Sequence, residues 1–178
     1  FRLDGEAIDD NSGVLESTGG DVSGDGLGDL IIGSLGDEQN GGRSYSTYVV
    51  FGKTSGFSAS MGLSNLDGAN GFRLKGTFGS AYFQTSVSSA GDVNGHEFDD
   101  VIMGVNGADL NGSGSGSSYV VFGKAAGFGA TMDLSSLDGT NGFRLDGEEI
   151  KDGLGISVNT AGDVNGDGFD DVIVGAHG

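Results

Sequence analysis

Three short stretches of the sequence crowd carboxylates at matched positions. They read DVSGDGLGD from Asp21, DVNGHEFDD from Asp92 and DVNGDGFDD from Asp163. Numbered from its first Asp, each stretch has polar side chains at positions 1, 3, 5 and 9 and an apolar residue at position 7. Alternate residues of a tight loop face a common centre, and Ca²⁺ takes about six to eight oxygen ligands. The pattern therefore predicts calcium sites, because a bound dication removes the repulsion among the carboxylates.

The three loops supply different predicted ligands, and position 7 of each offers only its backbone carbonyl. The predicted ligands are Asp21, Ser23, Asp25, Leu27 and Asp29 in the first loop, Asp92, Asn94, His96, Phe98 and Asp100 in the second, and Asp163, Asn165, Asp167, Phe169 and Asp171 in the third. Up to three Ca²⁺ ions are expected.

The second loop is expected to be the weakest site, to be empty, or to take its fifth ligand from water. His96 presents nitrogen, which suits Ca²⁺ poorly, and Glu97 replaces the glycine that permits a sharp turn in the other two loops. Three alternatives remain open. An acidic turn needs no metal, Mg²⁺ favours fewer protein ligands than these loops offer, and a transition metal could bind at His96.

Composition limits the classes of partner. The chain has 178 residues, a net charge of −18, 38 glycines and no cysteine or proline. Such a polyanion is repelled by nucleic acids and by anionic membranes, and it attracts cations. Without cysteine there is neither a disulfide framework nor a thiolate metal site. No apolar run of about 18 residues predicts a membrane span.

An internal repeat of 71 residues organises the chain. FRL occurs at Phe1, Phe72 and Phe143, and YVVFGK occurs at Tyr48 and Tyr119. The repeat divides a single partial domain, 1–178, into units 1–71, 72–142 and a half unit, 143–178.

Each unit carries the signature of four short β-strands. In the second unit these are residues 85–91, 100–105, 119–123 and 143–147, with apolar or β-branched residues and no sustained helical period. A longer loop, residues 125–142, precedes the last strand. A four-stranded sheet with two apolar faces needs a neighbour on each side, as in a β-propeller. The fold class predicted is all-β, with propeller blades in an incomplete ring of about 2.5 repeats; a β-solenoid is the alternative.

The sequence resembles the FG-GAP repeats of integrin α-chain propellers and of bacterial surface proteins. The resemblance rests on SVSSAGDVNGHEFDDVIMGV, SVNTAGDVNGDGFDDVIVGA and YVVFGK. It implies a propeller, usually of about seven blades, with Ca²⁺ held between the first two strands of a blade. Two departures stand out: GSL, GVN and GAH replace the family's GAP at Gly33, Gly104 and Gly175, and the repeat is longer than usual.

The function expected is a calcium-binding, non-enzymatic adhesion or surface-scaffold module, located outside the cell. The alternatives are a structural subunit of a surface layer or filament and an accessory domain of a polysaccharide-active enzyme. Only two histidines, His96 and His177, are present, and neither belongs to a recognisable catalytic pattern. No catalytic residue and no organic cofactor are predicted.

Possible partners are a protein or a polysaccharide ligand. The remainder of a longer chain, or other protomers, is expected to close the ring. Residues 54–71 and 125–142 are the candidate ligand loops, although Phe57, Met61, Phe128 and Met132 within them are expected to form small satellite cores. The recurring Arg2, Arg73 and Arg144 are expected to pair with nearby carboxylates.

Overall fold

The computed structural model describes residues 1–6, 11–37, 44–77, 85–125 and 127–178. Regular structure in these residues consists of thirteen strands and two single-turn 3-10 helices, Leu63–Asn65 and Leu134–Ser136. The strands are β1 (Arg2–Asp4), β2 (Leu15–Gly20), β3 (Asp29–Asp37), β4 (Ser44–Val50), β5 (Ser60–Gly62), β6 (Gly71–Thr77), β7 (Thr85–Gly91), β8 (Asp100–Val105), β9 (Ser117–Val121), β10 (Thr131–Asp133), β11 (Gly142–Asp146), β12 (Ser157–Gly162) and β13 (Asp171–Gly175). Among the described residues, no helix has the length and apolar character needed to cross a membrane.

Two four-stranded antiparallel blades and one strand pair follow each other along the chain. The first blade has the order β2-β3-β4-β6, the second has the order β7-β8-β9-β11, and β12 pairs with β13. The first strands of neighbouring blades lie together, β2 against β7 and β7 against β12. The prediction of all-β propeller blades that form an incomplete ring is confirmed, and two of the four predicted strands, β7 and β8, have the predicted bounds.

A β-bulge ends the first strand of every blade. Residue pairing slips by one position immediately before the pairs Gly20↔Asp29, Gly91↔Asp100 and Gly162↔Asp171. The three glycines have φ between 68° and 71°, a left-handed conformation that is costly for a side chain with a Cβ. The bulge re-aims the backbone, so each acidic loop leaves its strand in the same direction.

The core consists of apolar layers between blades. Because side chains alternate across a strand, Ile31 faces the second blade while Ile32 faces the opposite side. The layer between the first two blades combines Val22, Ile31, Val49, Phe51, Phe72 and Leu74 with Val101, Met103, Val105, Tyr119, Val121 and Leu134. A second layer joins Ile102 and Val120 to Val158 of the half unit. The stacking of the blades through these layers therefore determines the positions of their loops.

The long loop before each fourth strand contains a short strand that the sequence analysis missed. In the first unit β5 pairs in parallel with β1, and in the second β10 pairs in parallel with β6, the outer strand of the preceding blade. A stacked ring pair accompanies each pairing: Phe1 on Phe57 at 4.0 Å and Phe72 on Phe128 at 4.3 Å between centroids. The longer repeat therefore adds a second connection between blades.

The apolar residues of these loops pack against the interblade layers. Phe57 and Met61 contact the layer that contains Ile32, and Phe128 and Met132 contact the layer between the two blades. They extend these large layers, and the small separate satellite cores predicted from the sequence are not seen among the described residues. Ala126 of the second loop lies outside the described residues. The predicted arginine pairs also form, with nitrogen–oxygen distances of 2.7–2.8 Å, as Arg2–Asp4, Arg73–Glu6 and Arg144–Asp146.

Candidate metal sites in the acidic loops

Each acidic loop joins the first two strands of its blade. The first loop connects β2 to β3, the second connects β7 to β8, and the third connects β12 to β13. All predicted ligand residues lie in described parts of the chain, and the structure gathers each set of five into one turn.

The first Asp of each loop folds the turn around its own carboxylate. Asp163 Oδ1 accepts hydrogen bonds from the backbone N–H groups of Gly166 at 2.7 Å and Asp167 at 3.1 Å, and Oδ2 accepts one from Gly168 at 3.0 Å. Asp92 and Asp21 accept bonds from the corresponding N–H groups of their loops. These bonds give the loop its shape from its own backbone.

The last Asp of the loop ties the turn to the blade. Asp100 accepts hydrogen bonds from Val93 N–H at 3.0 Å and from Gly123 N–H at 2.8 Å, and Asp29 is bound in the same way by Ser23 and Gly52. Asp29 is 1% exposed and Asp100 is 0% exposed.

Burial changes the acidity of this last Asp. Desolvation raises the pKa of Asp100 to about 7, despite the backbone hydrogen bonds from Gly123 and Val93 that act to lower it. The pKa of Asp29 is raised by the same cause. A nearby cation would favour the charged form of both groups.

Position 3 differs between the first and second loops. Ser23 Oγ is a buried atom without a hydrogen-bond partner among the residues that the structure describes. A buried polar atom of this kind costs free energy unless a ligand satisfies it. In the second loop, Asn94 Nδ2 lies 3.3 Å from both oxygens of Asp100. The amide therefore gives Asp100 a neutral donor where a cation would otherwise be its partner.

The turn residue at position 6 is left-handed in all three loops. Gly26 has φ of 81° and Gly168 has φ of 92°, and Glu97 adopts the same conformation with φ of 68°. A side chain with a Cβ is disfavoured in this region, so the second loop retains the turn at an energetic cost.

The donor sets of the first and third loops suit Ca²⁺, although their oxygens are not preassembled. Each of these loops has three carboxylates, one hydroxyl or amide and one carbonyl. Among the described residues, no three His, Cys, Asp or Glu side chains lie close enough to hold a metal ion. At position 5, Asp25 and Asp167 accept bonds from the N–H groups of Leu27 and Phe169. Coordination of a metal ion would therefore require these side chains to turn inward.

Position 8 has a role that the sequence analysis missed. Asp99 Oδ2 accepts a hydrogen bond at 2.6 Å from Asp21 N–H of the preceding loop, and Asp170 Oδ2 accepts one at 2.8 Å from Asp92 N–H. A second hydrogen bond runs in the opposite direction in each pair: Asp99 N–H donates to Asp21 O, and Asp170 N–H donates to Asp92 O. We call this paired contact the blade hook.

The blade hook requires very close approach of two loops. A Cβ added to Gly91 would collide with the carboxylate of Asp170, and one added to Gly20 would collide with that of Asp99. The Phe at position 7 is equally close, because the Phe169 ring covers Gly95 and the Phe98 ring covers Gly24. A signal was present in the sequence: position 8 is Asp in the second and third loops and Gly28 in the first.

One segment of the chain matches a known protein family. The model of the FG-GAP repeat family matches residues 155–178, which contain β12, the third acidic loop and β13. No curated protein matches the chain significantly. Residues 155–178 are therefore similar to an FG-GAP repeat, and the resemblance inferred from the sequence is confirmed for this segment.

Proposed function

We propose that the chain is a calcium-stabilised, non-enzymatic module of an extracellular adhesive or surface-scaffold protein. The observation that carries the proposal is the recurrence of one oxygen-rich turn at the first bend of three successive blades. Ser23 Oγ supports it, because this buried oxygen lacks a protein partner at a predicted ligand position.

Calcium supply is the physical reason for an extracellular setting. With an affinity of about 10⁻⁴ M and free calcium of about 10⁻³ M, one site stabilises the fold by roughly 1–1.5 kcal/mol. The same site contributes almost nothing at the low free calcium of a cytosol. Three dications would also reduce the net charge of the chain, which is −18 without them.

The adjacent aspartates at positions 8 and 9 of the second loop have structural partners, which favours a non-enzymatic role. Asp99 binds the backbone of the preceding loop, while Asp100 binds Val93 and Gly123 within its own blade. A glycosidase pair instead needs two carboxyl groups that face one substrate across about 5–10 Å. Here, adjacent residues are committed to different backbone groups.

Native mass spectrometry tests the proposal directly. The chain is sprayed after equilibration with calcium and again after addition of a chelator, and the bound ions per chain are counted. Two or three ions are expected, with the second loop filling last. An Asp167→Asn variant should lose one ion and a Glu149→Gln variant, outside the loops, should lose none. Full retention of fold and stability without any bound calcium contradicts the proposal.

The alternative of a subunit that assembles end to end has one supporting observation. Val164 is 72% exposed and Ile173 is 61% exposed, whereas the equivalent Val22 and Ile31 of the first blade are fully buried against the second blade. An apolar face of this kind can pack on another blade, either of a longer chain or of a second copy. The mass of the chain measured against concentration separates the two roles, because only the subunit role requires particles larger than one chain.

A further inference from the structure

The strand pair β12–β13 exposes an apolar side that the next blade covers in both preceding units. Val22 and Ile31 of the first blade are fully buried against the second blade, and Ile102 of the second blade is fully buried against β12 and β13. Val164 and Ile173 occupy the same repeat positions and are 72% and 61% exposed. We call the side of β12–β13 that carries these two residues the open face.

The third acidic loop, beside the open face, keeps the backbone groups that receive a blade hook. In the second loop, Asp92 N–H donates to the Asp170 carboxylate at 2.8 Å, and Asp92 O accepts from Asp170 N–H at 2.9 Å. The equivalent N–H and carbonyl of Asp163 form no hydrogen bond with any residue that the structure describes. An added Cβ would collide with the hook carboxylate at Gly91 but meets no atom within 4 Å at Gly162. The third loop can therefore receive a hook carboxylate.

The same loop also leaves a glycine uncovered. The Phe98 ring covers Gly24 of the first loop, and the Phe169 ring covers Gly95 of the second loop. Gly166 is the equivalent glycine of the third loop, and an added Cβ there meets no atom within 4 Å. The open face therefore offers a hydrogen-bonding position for an aspartate, a surface for an aromatic ring, and apolar side chains beside them.

The first blade does not carry the residues that match the open face. Its acidic loop has Leu27 and Gly28 at positions 7 and 8, where the other two loops have phenylalanine and aspartate. Its first strand has the exposed Glu16 at the position of Val87 and Val158, which pack in the interblade layers. A second copy that presented its first blade would form no hook, and it would bury a carboxylate among apolar side chains, which is costly.

The hooks of a second copy are already engaged within its own chain. Asp99 is bound to Asp21 of the first loop, and Asp170 is bound to Asp92 of the second loop. These are the two aspartates at position 8 of the three loops. A partner that fits the open face must therefore bring its own aspartate and its own aromatic ring.

We infer that the open face binds a further blade of the same repeat type and not a second copy of this chain. The acidic loop of that blade carries an aromatic residue at position 7 and aspartate at position 8. The aspartate accepts a hydrogen bond from Asp163 N–H, the ring covers Gly166, and apolar residues of the second strand cover Val164 and Ile173. The inference goes beyond the proposed function and does not depend on bound calcium.

The first blade of the chain can be converted into such a partner. The variant Glu16→Val/Leu27→Phe/Gly28→Asp, called the hooked variant, gives it the matching residues, and an added Cβ at Gly28 meets no atom within 4 Å. Sedimentation velocity over a range of chain concentrations, in chelator, measures self-association. The hooked variant should associate at least about tenfold more strongly than the natural chain, because it adds a hydrogen bond to a charged acceptor.

Two further variants isolate the hook and the loop that receives it. Glu16→Val/Leu27→Phe/Gly28→Ala has the same apolar face without the carboxylate, and it should associate at least about tenfold more weakly than the hooked variant. Gly166→Asn, added to the hooked variant, places a side chain where the aromatic ring would lie. Asparagine tolerates the left-handed backbone of this residue, which has φ of 77°. This addition should return self-association to that of the natural chain.

Any of three results overturns the inference. They are equal association of the natural chain and the hooked variant, equal association of the aspartate and alanine versions, and unchanged association when Gly166→Asn is added. Circular dichroism shows whether each variant is folded; if the hooked variant is not, Gly28→Asp alone is compared with Gly28→Ala by the same criteria. The count of bound calcium ions tests the proposed function separately, so failure of one leaves the other standing.

Discussion

The second and third acidic loops share one backbone shape but differ in chemistry. The second loop has His96 and Glu97 where the third has Asp167 and Gly168, and its Asn94 amide lies against the buried Asp100. The third loop keeps a full set of oxygen donors and is mostly exposed.

The difference shows that one loop carries two separable tasks. The side chains at positions 1, 3, 5 and 9 and the carbonyl at position 7 supply the candidate metal ligands, whereas the side chains at positions 7 and 8 contact the preceding blade. At position 5 the second loop has a histidine, which is a poorer ligand for Ca²⁺ than aspartate. Its Phe98 and Asp99 nevertheless contact the first loop. Phe169 and Asp170 of the third loop contact the second loop in the same way. A degenerate metal site is therefore compatible with an intact blade junction.

The largest loss of stability is expected when a side-chain atom is added inside a blade hook. Gly91→Ala places a Cβ against the Asp170 carboxylate at a residue with φ of 71°. Backbone strain and the collision together should lower the free energy of unfolding by about 3–4 kcal/mol. Urea denaturation in chelator measures the loss without a calcium contribution.

Gly162→Ala is the matched control for that substitution. Gly162 has φ of 68° at the equivalent bulge, and an added Cβ there meets no atom within 4 Å. Gly162→Ala should lower the free energy of unfolding by about 1 kcal/mol, from backbone strain alone. Equal losses in the two variants show that the close contact with Asp170 contributes nothing.

Removal of the hook carboxylate should have the next largest effect. Asp170→Ala deletes the acceptor for Asp92 N–H and should cost about 1.5–3 kcal/mol, because a hydrogen bond to a charged group is lost. Asp170→Asn retains an acceptor oxygen and should cost less. In the double variant Gly91→Ala/Asp170→Ala the carboxylate is gone and only the Cβ at position 170, at 2.8 Å, still meets the added Cβ. The combined loss should therefore be smaller than the sum of the two single losses. Strict additivity in urea denaturation refutes this account of the hook.

The fold was predictable because its signals are local and repeated. Alternation in residues 85–91 and the apolar run in 100–105 define strands that the structure reproduces. The short β10 was not predictable in this way, since Thr131–Asp133 pairs in parallel with β6 of the preceding blade. Three residues have no readable period, and their partner is distant in sequence.

The acidic loops were predictable as turns, but not in the roles of all their residues. Spacing alone predicted one metal centre from Asp163 to Asp171, and in the structure these residues form one turn closed by backbone hydrogen bonds to the Asp163 and Asp171 carboxylates. It gave position 8 no role, because nothing in the spacing shows that Asp99 contacts a neighbouring blade while the chemically identical Asp100 does not. Only the position of the next blade shows that one binds Asp21 N–H while the other binds its own blade.

A substitution at position 5 should make the calcium affinities of the second and third loops more similar. His96→Asp gives the second loop the same ligand types at positions 1, 3, 5 and 9 as the third, and its calcium affinity should rise about tenfold, since a charged oxygen ligand replaces a nitrogen. Calcium titration calorimetry measures the change, and Asp167→His in the third loop is the reciprocal control. No change in either loop contradicts a ligand role for position 5.

The smallest change in stability is expected from a substitution in the turn of the second loop. Glu97 holds φ of 68°, so Glu97→Gly should raise the free energy of unfolding by about 0.5–1 kcal/mol through relief of backbone strain. Glu97→Ala separates this from the loss of a carboxylate, because alanine removes the charge and retains the Cβ. Urea denaturation in chelator should therefore show a gain for glycine over alanine. If the two variants are equally stable, the second loop bears no strain at this turn, and only its ligands distinguish it from the third.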